Sequence, residues 1–423
     1  MMTIFIVMFG LMMLGVPIAY SIGLAAALGL LTVTSVPLTV VPQRMYVMLD
    51  TFTLLAIPFF VLAGNLMDRG GISKKLINLA SCIVGHIRGG LGMVSVFACM
   101  LFGTISGSGT ATSAAIGSLT IPAMKEKGYD KEFAGAIIAV SGPLGVVIPP
   151  SVVMIIYCTT ANVSIGRFFL AGYVPGVLLG VFMMVGVYFI AGVKGYPAGE
   201  KAPFKALLKA LVESMWAILM LVIIVGGIFG GFFTATEAAC VAVVYAIFVG
   251  RFVYKELHWK DLPEILKKSA MTSSGVLFCV ATTNILAWLI INQQLPLRIG
   301  AAIGSMVESR FAILFLCNII LLIIGTVIDA TPAIIMIVPI LLPLAQQFGV
   351  DPIHFGVIVV TNLAISMSTP PVGITLFVSS SISGASLTSM IRPMVPIWGI
   401  MFAVLMLITY IPAISTALPN YFF

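Results

Sequence analysis

Apolar stretches long enough to cross a lipid bilayer follow one another along nearly the whole chain. They cover roughly residues 2–36, 52–67, 90–124, 132–158, 168–192, 211–250, 270–291, 311–346, 354–382 and 390–414. A helix needs about 20 predominantly apolar residues to span the hydrocarbon core. Charged residues make up only 8% of the 423 residues, whereas soluble domains contain about 25%. The sequence therefore predicts an all-α polytopic membrane protein with no separate soluble domain.

Two of these stretches are too long for a single crossing and carry a polar break near the middle. Residues 90–124 contain SGSGTAT, and residues 311–346 contain VIDATP. Unpaired backbone groups are costly in lipid, so such breaks are tolerated only where they are buried in protein or line a cavity. Each break therefore predicts the tip of a re-entrant helical hairpin. The stretch 211–250 instead splits at TATEAA into two crossings, and 2–36 splits near Pro17.

A fixed offset of 221 residues relates the two hairpin regions to each other. It matches Thr110 with Thr331, Pro122 with Pro343, Gly128 with Gly349, Asp130 with Asp351, Gly135 with Gly356, Pro149 and Pro150 with Pro370 and Pro371, and Pro175 with Pro396. The loop MKEKGYDKEF after the first hairpin contains three lysines, whereas LAQQFGVDPIH after the second has no Lys or Arg. Lys and Arg accumulate in cytoplasmic loops. The regions are therefore predicted to form an inverted repeat, with one hairpin opening inward and the other outward.

The most basic loops give the predicted orientation in the membrane. They are GYPAGEKAPFKALLKA, RFVYKELHWKDLPEILKK and the early loop with Arg69, Lys74, Lys75 and Arg88, and all are placed in the cytoplasm. Counting crossings from these loops puts both chain termini on the outer side. The stretch MMTIFIVMFG lacks a basic leader and a cleavage site, so it is predicted to be a retained first span.

The repeat divides the chain into five predicted parts. These are N-terminal spans and scaffold at 1–89, a first transport repeat of hairpin plus broken helix at 90–158, connecting and scaffold helices at 159–310, a second transport repeat at 311–382, and a C-terminal span at 383–423.

Each repeat contains a second break, SGPLGVVIPPS in the first and NLAISMSTPPVG in the second. Proline lacks an amide and interrupts the helical hydrogen bonds, so these breaks leave carbonyls free at mid-membrane. Free carbonyls beside hydroxyls suit a dehydrated alkali cation, and helix N-termini suit an anion. The alternative is that Pro and Gly only kink the helices for packing. Four breaks paired by one offset favour a binding site.

Asp329 is the only acidic residue in its long apolar stretch, and its counterpart in the first repeat is Ser108. An ionised carboxylate at that depth needs a partner or a cation, so a cation-linked role is predicted. The alternative is a local capping role beside a helix that starts at Pro332, with Thr331 as its N-cap.

The remaining chemistry-bearing residues predict no catalytic centre, and the chain is predicted not to be an enzyme. Glu237 follows Thr234 by three residues, the spacing of a helix capping box. The six cysteines are scattered without a CxxC pair, and the three histidines are isolated. No G-x-x-x-x-G-K-[ST] motif occurs, so ATP is not the energy source within this chain.

Several motifs together resemble the large membrane subunit of TRAP transporters, the tripartite ATP-independent periplasmic class. They are LAIPFFVLAGNLMDRGGI, GSGTATSAAIGSLTIPAM, GPLGVVIPPS, FTATEAA and STPPVGITLFV, and the resemblance covers essentially the whole chain. It implies a sodium-driven elevator-type importer in the bacterial inner membrane. The implied partners are a small TRAP membrane subunit, a periplasmic substrate-binding protein, a small organic acid and membrane lipid, with no nucleic acid. The implied fold is similar to that of the divalent-anion/sodium symporters, with 52–67 and 211–291 as a static scaffold.

The resemblance also implies the site residues, with two or more sodium ions and no organic cofactor. One sodium site is predicted at Gly103, Ser106, Ser108, Gly142, Val147 and Pro149, and a second at Gly325, Asp329, Ser366, Met367 and Thr369. Substrate is predicted at Gly109, Thr110, Ser151, Ala330 and Thr331. The symporters' hairpin tips read S-N-T-A-T, and the Asn is missing from both tips here, so their substrate contacts do not transfer.

An ion-translocating subunit of a pump or respiratory complex is the alternative from another class. It is expected to carry several mid-span Lys, Glu or His residues in series, whereas only Asp329 and Glu237 are candidates here. A gated channel is less favoured, because two opposed hairpins close a site rather than line a pore. For the cargo, C4-dicarboxylates, sialic acids and sugar acids all stay open, and the overall likeness leans to the sialic acid members.

Overall fold

The computed structural model describes residues 2–295 and 309–423, which are helical apart from turns and short connections and contain no β-strand. Of the predicted connecting region 159–310, residues 296–308 lie outside this description. Within the described ranges, eight helical segments are long and apolar enough to cross a membrane, and one bent pair would add a ninth. The predicted all-α polytopic class is confirmed, and the chain is a multi-pass membrane protein.

Five helices precede the first repeat. They are α1 (Met2–Met13), α2 (Ile18–Val33), α3 (Val40–Leu49), α4 (Ala56–Arg69) and α5 (Ile72–Val84). The break between α1 and α2 lies at Pro17, as predicted. Sequence reasoning missed α3 and α5 because neither is a continuous apolar run. Helix α5 buries Ile72, Leu76, Leu79 and Ala80, the spacing of an amphipathic helix.

The first repeat and the helix after it comprise six elements. They are α6 (Gly90–Ser106), α7 (Gly109–Glu126), α8 (Lys131–Ser141), α9 (Leu144–Val147), α10 (Val152–Ala161) and α11 (Ile165–Lys194). Helices α6 and α7 form a hairpin, and α8 to α10 form a broken helix that bends by 44° before α10.

Up to residue 295, where this part of the description ends, three α-helices follow before the second repeat. They are α12 (Phe204–Phe229), α13 (Ala235–Phe248) and α14 (Leu262–Asn292). The split near TATEAA lies between α12 and α13, and the predicted capping box is confirmed. The Glu237 carboxylate accepts the Thr234 amide at 2.7 Å, while the Thr234 hydroxyl accepts the Glu237 amide at 3.3 Å. Helix α4 packs against α13 and α14, and α2 and α3 also pack on α14.

The second repeat and the C-terminal region contain six more helices. They are α15 (Arg310–Val327), α16 (Ala330–Gln347), α17 (Pro352–Ser366), α18 (Ile374–Ser383), α19 (Leu387–Tyr410) and α20 (Ala413–Phe422). Helices α15 and α16 form the second hairpin, and α17 and α18 the second broken helix.

Helix boundaries in the two repeats coincide at the offset read from the sequence. Both ends of α7 and α16 are separated by the same 221 residues, as are the first residues of α8 and α17. The repeats also exchange contacts, since α10 packs on α16 and α18 packs on α7 and α8. The Thr375 hydroxyl of α18 donates to the Ala139 carbonyl of α8 at 2.8 Å. Each broken helix is therefore held against the hairpin of the other repeat.

Candidate functional site

The tips of the two hairpins meet at one cavity of about 650 Å³. The first tip is the connection 107–108 between α6 and α7, and the second is the connection 328–329 between α15 and α16. The first residues of both α7 and α16 lie in the cavity wall. A helix N-terminus carries unpaired amides and a partial positive charge, so the cavity receives two such ends.

The cavity wall combines residues of both repeats with residues of two helices outside them. From the repeats come Phe102, Ser106, Gly107, Ser108, Gly109, Thr110, Ala111, Ala114, Ala115, Ser118, Val146, Val152, Val153, Asp329, Ala330, Thr331, Met367, Ile374 and Val378. Helices α4 and α14 contribute Val61, Gly64, Asn65, Asp68, Lys268, Thr272 and Val276.

Four of the five predicted substrate residues lie in this wall. They are Gly109 and Thr110 at the first tip and Ala330 and Thr331 at the second. Ser151 is not part of the wall: it is 1% exposed, and its hydroxyl has no hydrogen-bond partner among the described residues. The first break turns Ser151 into the packed interior, while its neighbours Val152 and Val153 reach the cavity.

Oxygen atoms cluster behind the first tip. The Ser106 hydroxyl lies 2.7 Å from the Thr112 hydroxyl and 3.3 Å from the Ser108 carbonyl, which also accepts from Thr112 at 2.8 Å. The Ser108 hydroxyl caps α7 by accepting the Ala111 amide at 3.4 Å. Thr112 was missed at the sequence level, although its position four residues after Ser108 puts it one helical turn below the tip.

Glycines let the first broken helix approach this cluster closely. A Cβ at Gly103 would lie 2.6 Å from the Gly145 Cα, and one at Gly142 would overlap the Ser113 hydroxyl. Of the predicted first sodium set, Gly103, Ser106, Ser108 and Gly142 are therefore brought together.

The two remaining residues of the predicted first sodium site, Val147 and Pro149, have carbonyls that face α11 rather than the first tip. The Pro149 carbonyl accepts the Tyr173 hydroxyl of α11 at 3.1 Å. The Val147 carbonyl lies against Gly172 of the same helix, where a Cβ would be only 2.8 Å away. The sequence predicts that the carbonyls of Val147 and Pro149 are free of helical hydrogen bonds. In the structure both face α11.

Asp329 occupies the N-cap position of α16 and lies in the cavity wall. The alternative in which Thr331 caps a helix starting at Pro332 is wrong in register, because α16 already begins at Ala330. The Asp329 carboxylate lies beside the amides of Ala330 and Thr331 in the first turn but forms no well-aligned capping hydrogen bond with them. Its carboxylate therefore stays available for a cation or a cargo group.

The second tip also brings Gly325 against Ser366. A Cβ at Gly325 would lie 2.6 Å from the Ser366 hydroxyl, which itself lies 2.9 Å from the Asn362 carbonyl and 3.2 Å from the Leu322 carbonyl. This arrangement places one hydroxyl among backbone oxygens, as at the first tip.

Met367 and Thr369 are only partly turned toward the second tip. The Met367 side chain lines the cavity, but its carbonyl accepts both the Thr375 amide at 3.1 Å and the Thr375 hydroxyl at 2.8 Å. The Thr369 hydroxyl donates back to the Ile365 carbonyl of α17 at 2.9 Å.

Five polar wall residues were not predicted. Ser118 lies on α7 of the first repeat, and the other four lie outside the repeats: Asn65 and Asp68 on α4, and Lys268 and Thr272 on α14. Lys268 belongs to the basic stretch RFVYKELHWKDLPEILKK, which was interpreted only as a sign of topology. The available signal was the spacing, since residues four apart share one helix face.

The mouth of the cavity lies near the predicted cytoplasmic loops. Along α7, Ala111, Ala114 and Ser118 are exposed in the wall, running from the tip toward the lysine-rich loop. Next to Asp68 of the opposite wall, Arg69 at the end of α4 pairs with Asp261 at 3.0 Å, beside the start of α14. The cavity thus opens at the end of the molecule that carries the basic loops.

The donor atoms at the tips are hydroxyl and carbonyl oxygens and one carboxylate. These hard oxygen ligands suit alkali and alkaline-earth cations rather than soft transition metals. The helix N-termini in the same cavity suit a carboxylate. The arrangement can hold cations and an organic anion side by side.

Comparisons with known proteins also indicate a transport protein. Residues 5–414 match the family described as "Tripartite ATP-independent periplasmic transporter, DctM component". A C4-dicarboxylate TRAP transporter large permease protein of Pseudomonas aeruginosa is 41% identical over 95% of this chain and 94% of its own length. A sialic acid TRAP transporter large permease protein of Vibrio cholerae is 38% identical over 98% of this chain and 97% of its own length.

A solved structure of the Alcanivorax borkumensis YdaH transporter shares the fold. It superimposes with a TM-score of 0.62 at 13% identity, covering 88% of this chain and 86% of that one. At this identity the likeness concerns the architecture alone.

Proposed function

Because the chain belongs to the family of the DctM component of tripartite ATP-independent periplasmic transporters, we propose that it is the large permease subunit of a sodium-coupled organic-acid importer. The relatives are transport permeases, so the chain is a transport protein rather than an enzyme. The observation that carries the proposal is the single cavity that receives both hairpin tips.

Sodium ions bind on both sides of this cavity. The oxygens of Ser106, Ser108 and Thr112 supply ligands behind the first tip, and Asp329 and Ser366 do so near the second. Asp329 and the cargo carboxylate are both negative, and charges in a low-dielectric setting repel strongly. Two or more sodium ions neutralise the loaded site before it passes through the membrane.

The cargo lies between the tips. Its carboxylate meets the N-termini of α7 and α16, with the hydroxyls of Thr110 and Thr331 beside it. The named cargoes of the relatives support a C4-dicarboxylate or a sialic acid.

Transport proceeds by an elevator motion, in which the re-entrant hairpins and broken helices slide against α4 and α12 to α14. A close contact supports this division. A Cβ at Gly64 of α4 would lie 3.2 Å from the Ser106 Cα at the first tip, so only small residues separate the two surfaces.

The transporter works in the bacterial inner membrane with both termini periplasmic, beside a separate small membrane subunit. A soluble periplasmic protein delivers the acid. Family membership supports this tripartite arrangement.

Uptake into proteoliposomes tests the proposal. The vesicles contain this chain with its small subunit, the cognate binding protein is added outside, and labelled succinate or N-acetylneuraminate is offered with or without an inward sodium gradient. Uptake of one acid should require the sodium gradient. Uptake of equal rate on a proton gradient alone would contradict sodium coupling while leaving the acid assignment intact.

A further inference from the structure

We infer that Lys268 on α14 is a binding residue for the carboxylate of the transported acid while the cavity is open to the cytoplasmic side. The inference rests on the proposed function, because it takes the cargo to be an organic acid. Lys268 is the only cationic side chain in the cavity wall among the residues that the structure describes.

The placement of Lys268 follows from the geometry of α14. Lys268, Thr272 and Val276 are spaced by four and form one stripe that faces the cavity. Beside this stripe, Asn65 of α4 donates to the Ser269 hydroxyl at 2.9 Å, which ties α14 to α4 at the level of Lys268. The lysine therefore projects from a helix that is fixed against its neighbour.

The charges in the cavity leave the Lys268 ammonium available to an anion. Two carboxylates also line the wall, Asp68 and Asp329. Asp68 accepts the Ser73 hydroxyl at 2.7 Å, and Lys268 forms none of the salt bridges found in the described part of the chain. Without Lys268 the charged side chains of the described wall would all be carboxylates, which repel an incoming carboxylate.

Lys268 does not belong to either repeat. Helix α14 packs against α2, α3 and α4 on the scaffold side of the proposed sliding surface, and against α16 of the second repeat across that surface. When the tips move, Lys268 stays in place. Its contribution to cargo affinity is thus confined to the conformation described here, and it lowers the rate at which the acid leaves toward the cytoplasm.

A reporter cysteine measures this affinity without transport. Ser118→Cys lies on the exposed cavity face of α7, and none of the six native cysteines lines the cavity. In the intact complex, succinate or N-acetylneuraminate should protect this cysteine from a thiol reagent applied on the cytoplasmic side. Adding Lys268→Gln should raise the acid concentration for half-protection about fivefold, as expected for a solvent-accessible charge pair.

Two further variants separate a charge effect from a structural one. Lys268→Arg should keep the protection within about twofold of the lysine protein, because the charge is preserved. Lys267→Gln is the matched control, since Lys267 is the exposed neighbour that does not line the cavity, and it should change nothing.

The inference is overturned if Lys268→Gln leaves half-protection unchanged, or if Lys268→Arg weakens it as much as Lys268→Gln. These outcomes differ from failure of the proposed function. Protection is a binding measurement, so it stays informative if uptake proves independent of sodium, whereas an acid that is taken up but protects equally with and without Lys268 contradicts only the role of this residue.

Discussion

The two hairpin tips share a backbone plan but differ in chemistry. Helix α7 begins after Ser108 and α16 begins after Asp329, at positions related by the repeat offset. Ser108 caps its helix through its hydroxyl, and its carbonyl accepts from the buried Ser106 hydroxyl. Asp329 forms no well-aligned capping hydrogen bond and places a carboxylate in the cavity wall.

This difference indicates which features the two repeats keep in common and which they do not. Duplication preserves helix lengths and breaks, because these determine whether the two halves can pack on each other. Side chains at the tips are not needed for that packing, so they diverge. The second tip is expected to hold its cation through a full charge, and the first through dipoles alone.

The largest expected effect is that of Asp329→Asn. Removing the carboxylate should lower sodium-driven uptake more than about 100-fold, since losing one partner of a buried charge pair costs about 3–5 kcal/mol. Uptake in proteoliposomes at several sodium concentrations measures it.

Asp351→Asn is the matched control for this substitution. Asp351 caps α17 by accepting the amides of Ile353 at 2.7 Å and His354 at 3.1 Å, and Asn caps equally well. Uptake near wild type for Asp329→Asn would show that the two tips do not differ in the expected way.

Ser108→Ala should have a smaller effect than Asp329→Asn. It removes a cap worth about 0.5–2 kcal/mol but leaves the Ser108 carbonyl, which accepts from Thr112 at 2.8 Å. Uptake should fall about tenfold, with a higher sodium concentration for half-maximal rate. A loss as complete as that of Asp329→Asn would mean that both tips are equally critical.

The plan of the repeats could be predicted from the sequence, because turns and breaks need residues that few others can replace. The paired prolines and glycines therefore located both hairpins and both broken helices. The direction of a freed carbonyl was not predictable. The Pro149 carbonyl accepts a hydrogen bond from Tyr173 on α11. The sequence around Pro149 does not indicate that α11 packs there.

The polar cavity residues on α4 and α14 could not be predicted from the sequence for a related reason. Spacing reveals which residues share a helix face, but only packing decides what that face meets. Asn65 and Ser269, which join α4 to α14 at 2.9 Å, are 204 residues apart in sequence. Lys268 therefore looked like one more charge of a cytoplasmic loop.

Gly103→Ala and Gly325→Ala compare the packing of the two tips. A Cβ at Gly103 would meet the Gly145 backbone at 2.6 Å, whereas one at Gly325 would meet the Ser366 side chain at the same distance. Backbone cannot rotate aside, so Gly103→Ala should destabilise more, by about 1–3 kcal/mol. Thermal unfolding in detergent compares them, and equal losses would remove this asymmetry between the repeats.

The smallest expected effect concerns the aspartates that begin the two broken helices. Asp351 caps its own helix, but Asp130 turns outward to accept Lys194 at 2.6 Å and the Tyr196 hydroxyl at 2.8 Å. These hydrogen bonds lower the pKa of the Asp130 carboxyl below its ordinary value.

A lowered pKa gives stability that is complete above the unfolded value near 3.9 and is lost as pH falls through the folded value. Because the Asp130 side chain is 49% exposed, the contribution is about 1 kcal/mol or less. Asp130→Asn should therefore lower the unfolding midpoint by about 2 °C or less at neutral pH. The difference from wild type should close between about pH 5 and pH 2. A difference that persists through that range would mean that Asp130 acts through packing, and the two aspartates would then differ in geometry alone.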